Sequence, residues 1–180
     1  MQKKTKILLQ TLSVALFPLL LLAVGLSFCC RHRGFSVDKI TSKLFYEEDW
    51  EIEPLSQKEQ EFLQQDVFGQ TFYYLGAGLQ WYAFVSEDQK YVLKFFKMHH
   101  LMPKDWLNNF PFSLFENYRF KHVDKKKQLL EVIFNSVKFS YDHIKRETGL
   151  IYVHLNKTHL LKQKIHLIDQ SGKKIDRHGF

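Results

Sequence analysis

A chain of 180 residues with 45% hydrophobic and 16% aromatic content can bury one modest core and hardly two. Its formal charge of +7 invites a nucleic-acid reading that its distribution does not sustain. Residues 1–33 hold five of the 26 basic side chains and no acid, residues 34–118 carry seven basic and thirteen acidic groups, and residues 119–180 carry fourteen and six. Lysines and aromatic platforms are not interleaved as single-strand binding requires, so nucleic acid is set aside as a partner. The bipolar charge suits self-association or the binding of an anion by the basic half, and a protein partner is the other expectation.

In chain order, a basic tail over residues 1–6 (Lys3, Lys4, Lys6) leads into ILLQTLSVALFPLLLLAVGLSF, an uncharged run from Ile7 to Phe28. At about 1.5 Å per residue it is long enough for a hydrocarbon core of about 30 Å. The sequence therefore predicts a transmembrane helix at residues 7–29, with membrane lipid as its partner and a single-pass membrane localisation. Lys3, Lys4 and Lys6 face Arg31, Arg33, Lys39 and Lys43 across it, so the charge bias leaves the side of the soluble domain open. A secretory signal peptide competes, but the run exceeds the usual apolar region and no small-residue cleavage site follows. Cys29 and Cys30, the only cysteines, exclude a disulfide framework or cysteine metal site in the folded domain. They either end the helix as small apolar residues or accept an acyl chain.

Residues 30–67 read as a juxtamembrane segment, acidic from Glu47 to Glu53. A short helix is predicted near Ser56, because Ser56 and Glu59 have capping-box spacing. From Phe68 the pattern turns to strands at Phe72–Leu75, Gln80–Val85 and Tyr91–Phe96, separated by Gly76-Ala77-Gly78 and Ser86-Glu87-Asp88-Gln89. Two antiparallel hairpins follow. Pro103, Asn108-Asn109 and Pro111 interrupt residues 97–121, although Trp106, Phe110, Phe112, Leu114 and Phe115 call for burial. Over Asp124–Arg146 the residues Leu130, Ile133, Phe134, Val137, Tyr141 and Ile144 fall on one helical face, and Gly149 is a stop signal. Leu150–Leu155 and Lys164–Asp169 are further strands, with Ser171-Gly172 turning into Lys173–Ile175. The expected architecture is α+β: an N-terminal transmembrane helix, then a mainly antiparallel sheet with one long helix packed across it over residues 68–180.

The order of elements, with LGAGLQWYAF and YVLKFF, resembles the N-terminal lobe of the protein-kinase-like fold. That resemblance implies a glycine-rich turn between the first two strands, a lysine on the third strand and a glutamate on the helix. Gly76 and Gly78 correspond to the first two glycines of the family's pattern, and Lys94 to its lysine. Trp81 stands at the third glycine and Ala83 at the valine. Glu131 is the glutamate candidate for the helix. ATP is the implied cofactor, because glycines let backbone N–H groups approach phosphate while a fixed lysine adds charge. No catalytic-loop or metal-binding motif of the family follows Leu150, so phosphoryl transfer is not expected. The implied function is a non-catalytic binding or scaffold domain with residual nucleotide affinity. The alternative is a truncated half of a membrane-anchored kinase, inactive without its second lobe.

Each of these residues also has a plainer reading. Gly76 and Gly78 fit a hairpin turn without a ligand. Lys94 is either buried beside a carboxylate or reaches solvent from an edge at little cost. His99 and His100 are neighbours expected to point apart, and none of the nine histidines has metal-ligand spacing. Lys125-Lys126-Lys127 is expected to open the long helix at its positive end, solvated or against an anionic headgroup.

Overall fold

The structure, a computed structural model, describes residues 18, 21–25, 34–103, 116–156 and 164–178. Two compact units divide the chain, Met1–Gly34 and Phe35–Phe180. In the first, residues 18 and 21–25 are helical and exposed.

The membrane-spanning helix expected at residues 7–29 is corrected: no helix among the described residues is long and apolar enough to cross a membrane. The single-pass membrane localisation built on that helix is withdrawn. The rest of that range, including Cys29, lies outside the described residues, as do Cys30, Trp106, Phe110, Phe112, Leu114 and Phe115.

In the second unit, a turn of helix α1 (Val37–Ile40) and a 3-10 turn at Glu48–Trp50 precede α2 (Gln57–Phe62). Ser56 caps α2 as its spacing predicts: the Glu59 N–H donates to the Ser56 hydroxyl while the Ser56 N–H donates to the Glu59 carboxylate. The chain then widens into a π-helical turn, Leu63–Val67, which the Phe68 N–H closes onto the Leu63 carbonyl at 2.8 Å. Strands β1 (Thr71–Ala77), β2 (Trp81–Ser86) and β3 (Val92–Phe96) follow, then the helical turn α3 (Met98–Leu101), the long helix α4 (Glu116–Thr148), and β4 (Lys164–Ile168) and β5 (Lys174–His178).

The five strands form one sheet in the order β3-β2-β1-β4-β5. The β1/β2, β2/β3 and β4/β5 pairs are antiparallel, whereas β1 and β4 run parallel, so the sheet is mixed. Period-two alternation sends Phe72, Tyr82, Phe84, Phe95, Ile165 and Leu167 to one face, where they are buried. Phe35, Ile40, Leu63, Val67 and Phe68 cover that face. Residues 35–67, expected as a lead into the domain, therefore supply one wall of its main core.

A second core gathers Trp50, Met98, Leu101, Leu130, Ile133, Phe134, Tyr141, Val153 and Leu155. Its α4 members, with Val137 beside them, are the face that the three-and-four spacing picks out, except Ile144, which is exposed where the helical geometry breaks; that face does not cross the sheet as expected. It packs on the 3-10 turn, α3 and residues 150–155, and meets the sheet at one corner, where the Phe96 and Phe134 rings lie 4.8 Å apart. Leu150–Leu155, expected as a strand, forms no strand of the sheet; its side chains serve two cores, Tyr152 the first and Leu150, Val153 and Leu155 the second. Asn156 ends it, buried, exchanging two hydrogen bonds with the Glu47 backbone. Helix α4 is already formed at Glu116, so Lys125, Lys126 and Lys127 sit within it rather than at its positive end.

Candidate functional site

The β1–β2 hairpin tests the glycine argument directly. Its turn is closed by the Gly78 N–H donating to the Trp81 carbonyl at 2.9 Å. A bulge sets Leu75 outside the ladder between Tyr74 and Gly76. Neither Gly76 nor Gly78 has positive φ, and a Cβ on either would meet open space. The backbone here does not require glycine.

Lys94 lies in register with Ala83, and Ala83 with Gly76. With strands about 4.8 Å apart, Lys94 and Gly76 are separated by about 10 Å of sheet. Alternation along β3 puts the Lys94 side chain on the face opposite buried Phe95, where it is exposed and has no hydrogen-bond or ion-pair partner among the described residues. Glu131 pairs instead with Lys127 one helical turn away, at 3.9 Å. Gly76, Gly78, Lys94 and Glu131 are thus not assembled into the nucleotide site that the resemblance implies.

A different lysine reaches the turn. After β3 the chain bends at Lys97 (φ −78°, ψ 76°), which carries its side chain back over the hairpin. Lys97 Nζ donates to the Gly78 carbonyl at 2.6 Å and lies 4.9 Å from the centre of the Tyr82 ring, a cation–π distance. Its own N–H donates to the Gln80 carbonyl at 2.8 Å. Three residues on, the His100 ring hydrogen-bonds the Leu79 backbone. Lys126 Nζ, from α4, donates to the His100 carbonyl. On the other flank His99 Nδ1 donates to the Lys39 carbonyl, 3.2 Å away, from α1. The His99 and His100 rings, expected to point apart, have centres 4.1 Å apart.

Lys97 and His100 therefore touch the turn, and Lys39, His99 and Lys126 cluster behind them, the five coming from three separate stretches of chain. Their electrostatics record the crowding. Burial first, then the Lys97 charge, lowers the Lys39 ammonium below its ordinary value. Burial first, then the His100, Lys39 and Lys97 charges, lowers the His99 imidazole, against its hydrogen bond to the Lys39 carbonyl, which raises it. His100 is lowered by burial, Lys97, Lys126 and Lys39, against its bond to Leu79. No protein-family model, curated protein or solved structure matches the chain. The site is accordingly read from its own chemistry. Three lysines and two histidines thus lie close together beside a polar backbone turn, with burial and neighbouring charge lowering Lys39, His99 and His100.

Among the described residues no group of three or more His, Cys, Asp or Glu side chains can hold a metal. The signal for the cluster was present in the sequence as Lys97-Met98-His99-His100, a basic run directly after a strand. Lys39 and Lys126 carried none, because their positions depend on where α1 and α4 pack.

Proposed function

We propose that Phe35–His178 is a non-catalytic binding module that holds a phosphate-bearing ligand between the Gly78–Trp81 turn and the Lys97 cluster. The observation that carries this reading is the gathering of Lys39, Lys97, His99, His100 and Lys126, in which burial first and then neighbouring positive charge lower Lys39, His99 and His100, a cost that a bound anion offsets. Lysine is a compact point charge suited to phosphate, and two imidazoles add donors once the anion raises their basicity. The kinase-like resemblance contributes only the hairpin to this proposal, with Lys97 in place of Lys94; a nucleotide is one member of the ligand class.

The test uses the full chain with inorganic tripolyphosphate, and with ATP as a second probe. Tripolyphosphate raises the melting temperature in a saturable way, since a ligand of the folded state stabilises it by mass action. The shift is lost in Lys97→Ala and in Lys126→Gln, and kept in Lys94→Ala. In the bound state the His99 and His100 imidazoles titrate at higher pH by NMR. Absence of any shift, or a shift that only Lys94→Ala removes, overturns the proposal.

A further inference from the structure

A second concavity lies apart from the hairpin, between α2 with its π-helical turn and the end of α4. Both walls are irregular. The π-helical turn adds a residue to its helical turn, and α4 breaks its helical geometry at Ile144 (φ −131°, ψ 34°). Gly149, at φ +67°, then ends α4: its N–H donates to the Arg146 carbonyl and the Leu150 N–H to the Lys145 carbonyl. This paired closure turns Leu150 and Ile151 back beneath the helix end. A cavity of about 510 Å³ results, with Leu55, Phe62, Leu63, Leu150 and Ile151 as its apolar lining and Glu59, Lys145 and Arg146 as its charged groups. That volume lies within the range of small-molecule sites.

The three charged groups are not equivalent. Glu59 accepts from the Ser56 N–H and hydroxyl, which hold its carboxyl below the usual range, and pairs with Lys145 at 3.6 Å. Lys145 is further fixed by Tyr141: its Nζ lies 4.5 Å from the ring centre and donates to the phenol oxygen at 3.2 Å. Those two charges offset each other. The Arg146 guanidinium has no hydrogen-bond or ion-pair partner among the described residues, and leaves the mouth with one net positive charge.

We propose that this cavity binds a small amphipathic anion, a monocarboxylate or sulfonate whose apolar body rests on Leu55, Phe62, Leu63 and Ile151 while its head pairs with Arg146. An uncharged ligand would leave the guanidinium unused, and a cationic one would be repelled by it. A planar carboxylate suits the guanidinium fork, to which it bonds in two places.

Anilinonaphthalene sulfonate is the probe, with the full chain under native conditions. It shows saturable one-site fluorescence enhancement, displaced by decanoate and not by decyltrimethylammonium, which has the same tail and the opposite charge. Arg146→Glu weakens probe and decanoate by about tenfold or more, the worth of a hydrogen-bonded charge pair. Ile151→Asp weakens both as well, and Arg146→Gln provides a milder second variant. Melting curves verify that each variant is folded. No saturable enhancement, equal displacement by the two detergent-like ions, or an unchanged affinity in both Arg146 variants overturns the proposal. Lys97→Ala leaves this binding intact, so failure here and failure at the hairpin are separate results.

Discussion

Truncating Phe84 to alanine removes the central side chain of the sheet. Phe84 is fully buried on β2, with ring centres of Phe35, Tyr74 and Phe95 at 4.8, 5.5 and 5.7 Å, all edge-on. A buried Phe→Ala change costs about 3–5 kcal/mol in lost transfer and cavity terms. Three aromatic neighbours place it in the upper half of that range, since edge-to-face pairs add about 0.5–1.5 kcal/mol each to what burial alone supplies. A domain of this size is stable by about 5–15 kcal/mol, so the variant is strongly weakened. With a urea slope of about 2 kcal/mol per molar, the unfolding midpoint drops by about 2 M. Equilibrium urea titration followed by circular dichroism and tryptophan fluorescence measures it. Phe120→Ala, at a side chain 75% exposed on α4, is the control and stays within about 0.5 kcal/mol of the parent. Because Phe35 packs on Phe84 four residues before Lys39, the same variant weakens anion binding only in step with unfolding. A midpoint shift below about 0.5 M at unchanged slope would falsify the assignment of Phe84 to the core.

Gly78→Ala leaves the melting temperature unchanged or slightly raised, as a Gly→Ala change at a permissive backbone does, whereas Gly149→Ala at positive φ costs about 1 kcal/mol in the same assay. Ser56→Ala breaks the capping box and costs about 1 kcal/mol by urea titration, with faster amide exchange confined to the first turn of α2. Asp176 accepts from the His166 ring at 2.8 Å, and that hydrogen bond first, then the His166, Lys164 and Lys174 charges, lowers its carboxyl. A carboxyl that is more acidic when folded stabilises the fold above its unfolded pKa and loses that contribution as pH falls through the lowered folded value. Stability measured from pH 5 down to about pH 2 therefore falls less steeply in Asp176→Asn than in the parent.

Local order was written in local sequence. The Ser56–Glu59 spacing fixes the start of α2, the aromatic and β-branched runs mark three strands to within a residue or two, and the three-and-four spacing from Leu130 to Tyr141 names the buried face of α4. These features depend on neighbours within a few positions, which any single chain displays. What each element packs against is settled by partners distant in sequence. Only the tertiary structure decides that β4 lies parallel beside β1, leaving β3 at an edge, and that the core covers the face of Phe95 and not the face of Lys94. It also decides that residues 35–67 wall the main core, and that α4 packs on the 3-10 turn and α3 instead of across the sheet. The same cause moves the candidate site. A lysine within a strand is visible in the sequence, but the charge that meets the hairpin comes from Lys97, just past the strand, where the chain bends back, and its companions Lys39 and Lys126 arrive on helices. Side-chain convergence is a property of packing, and periodicity carries no record of it.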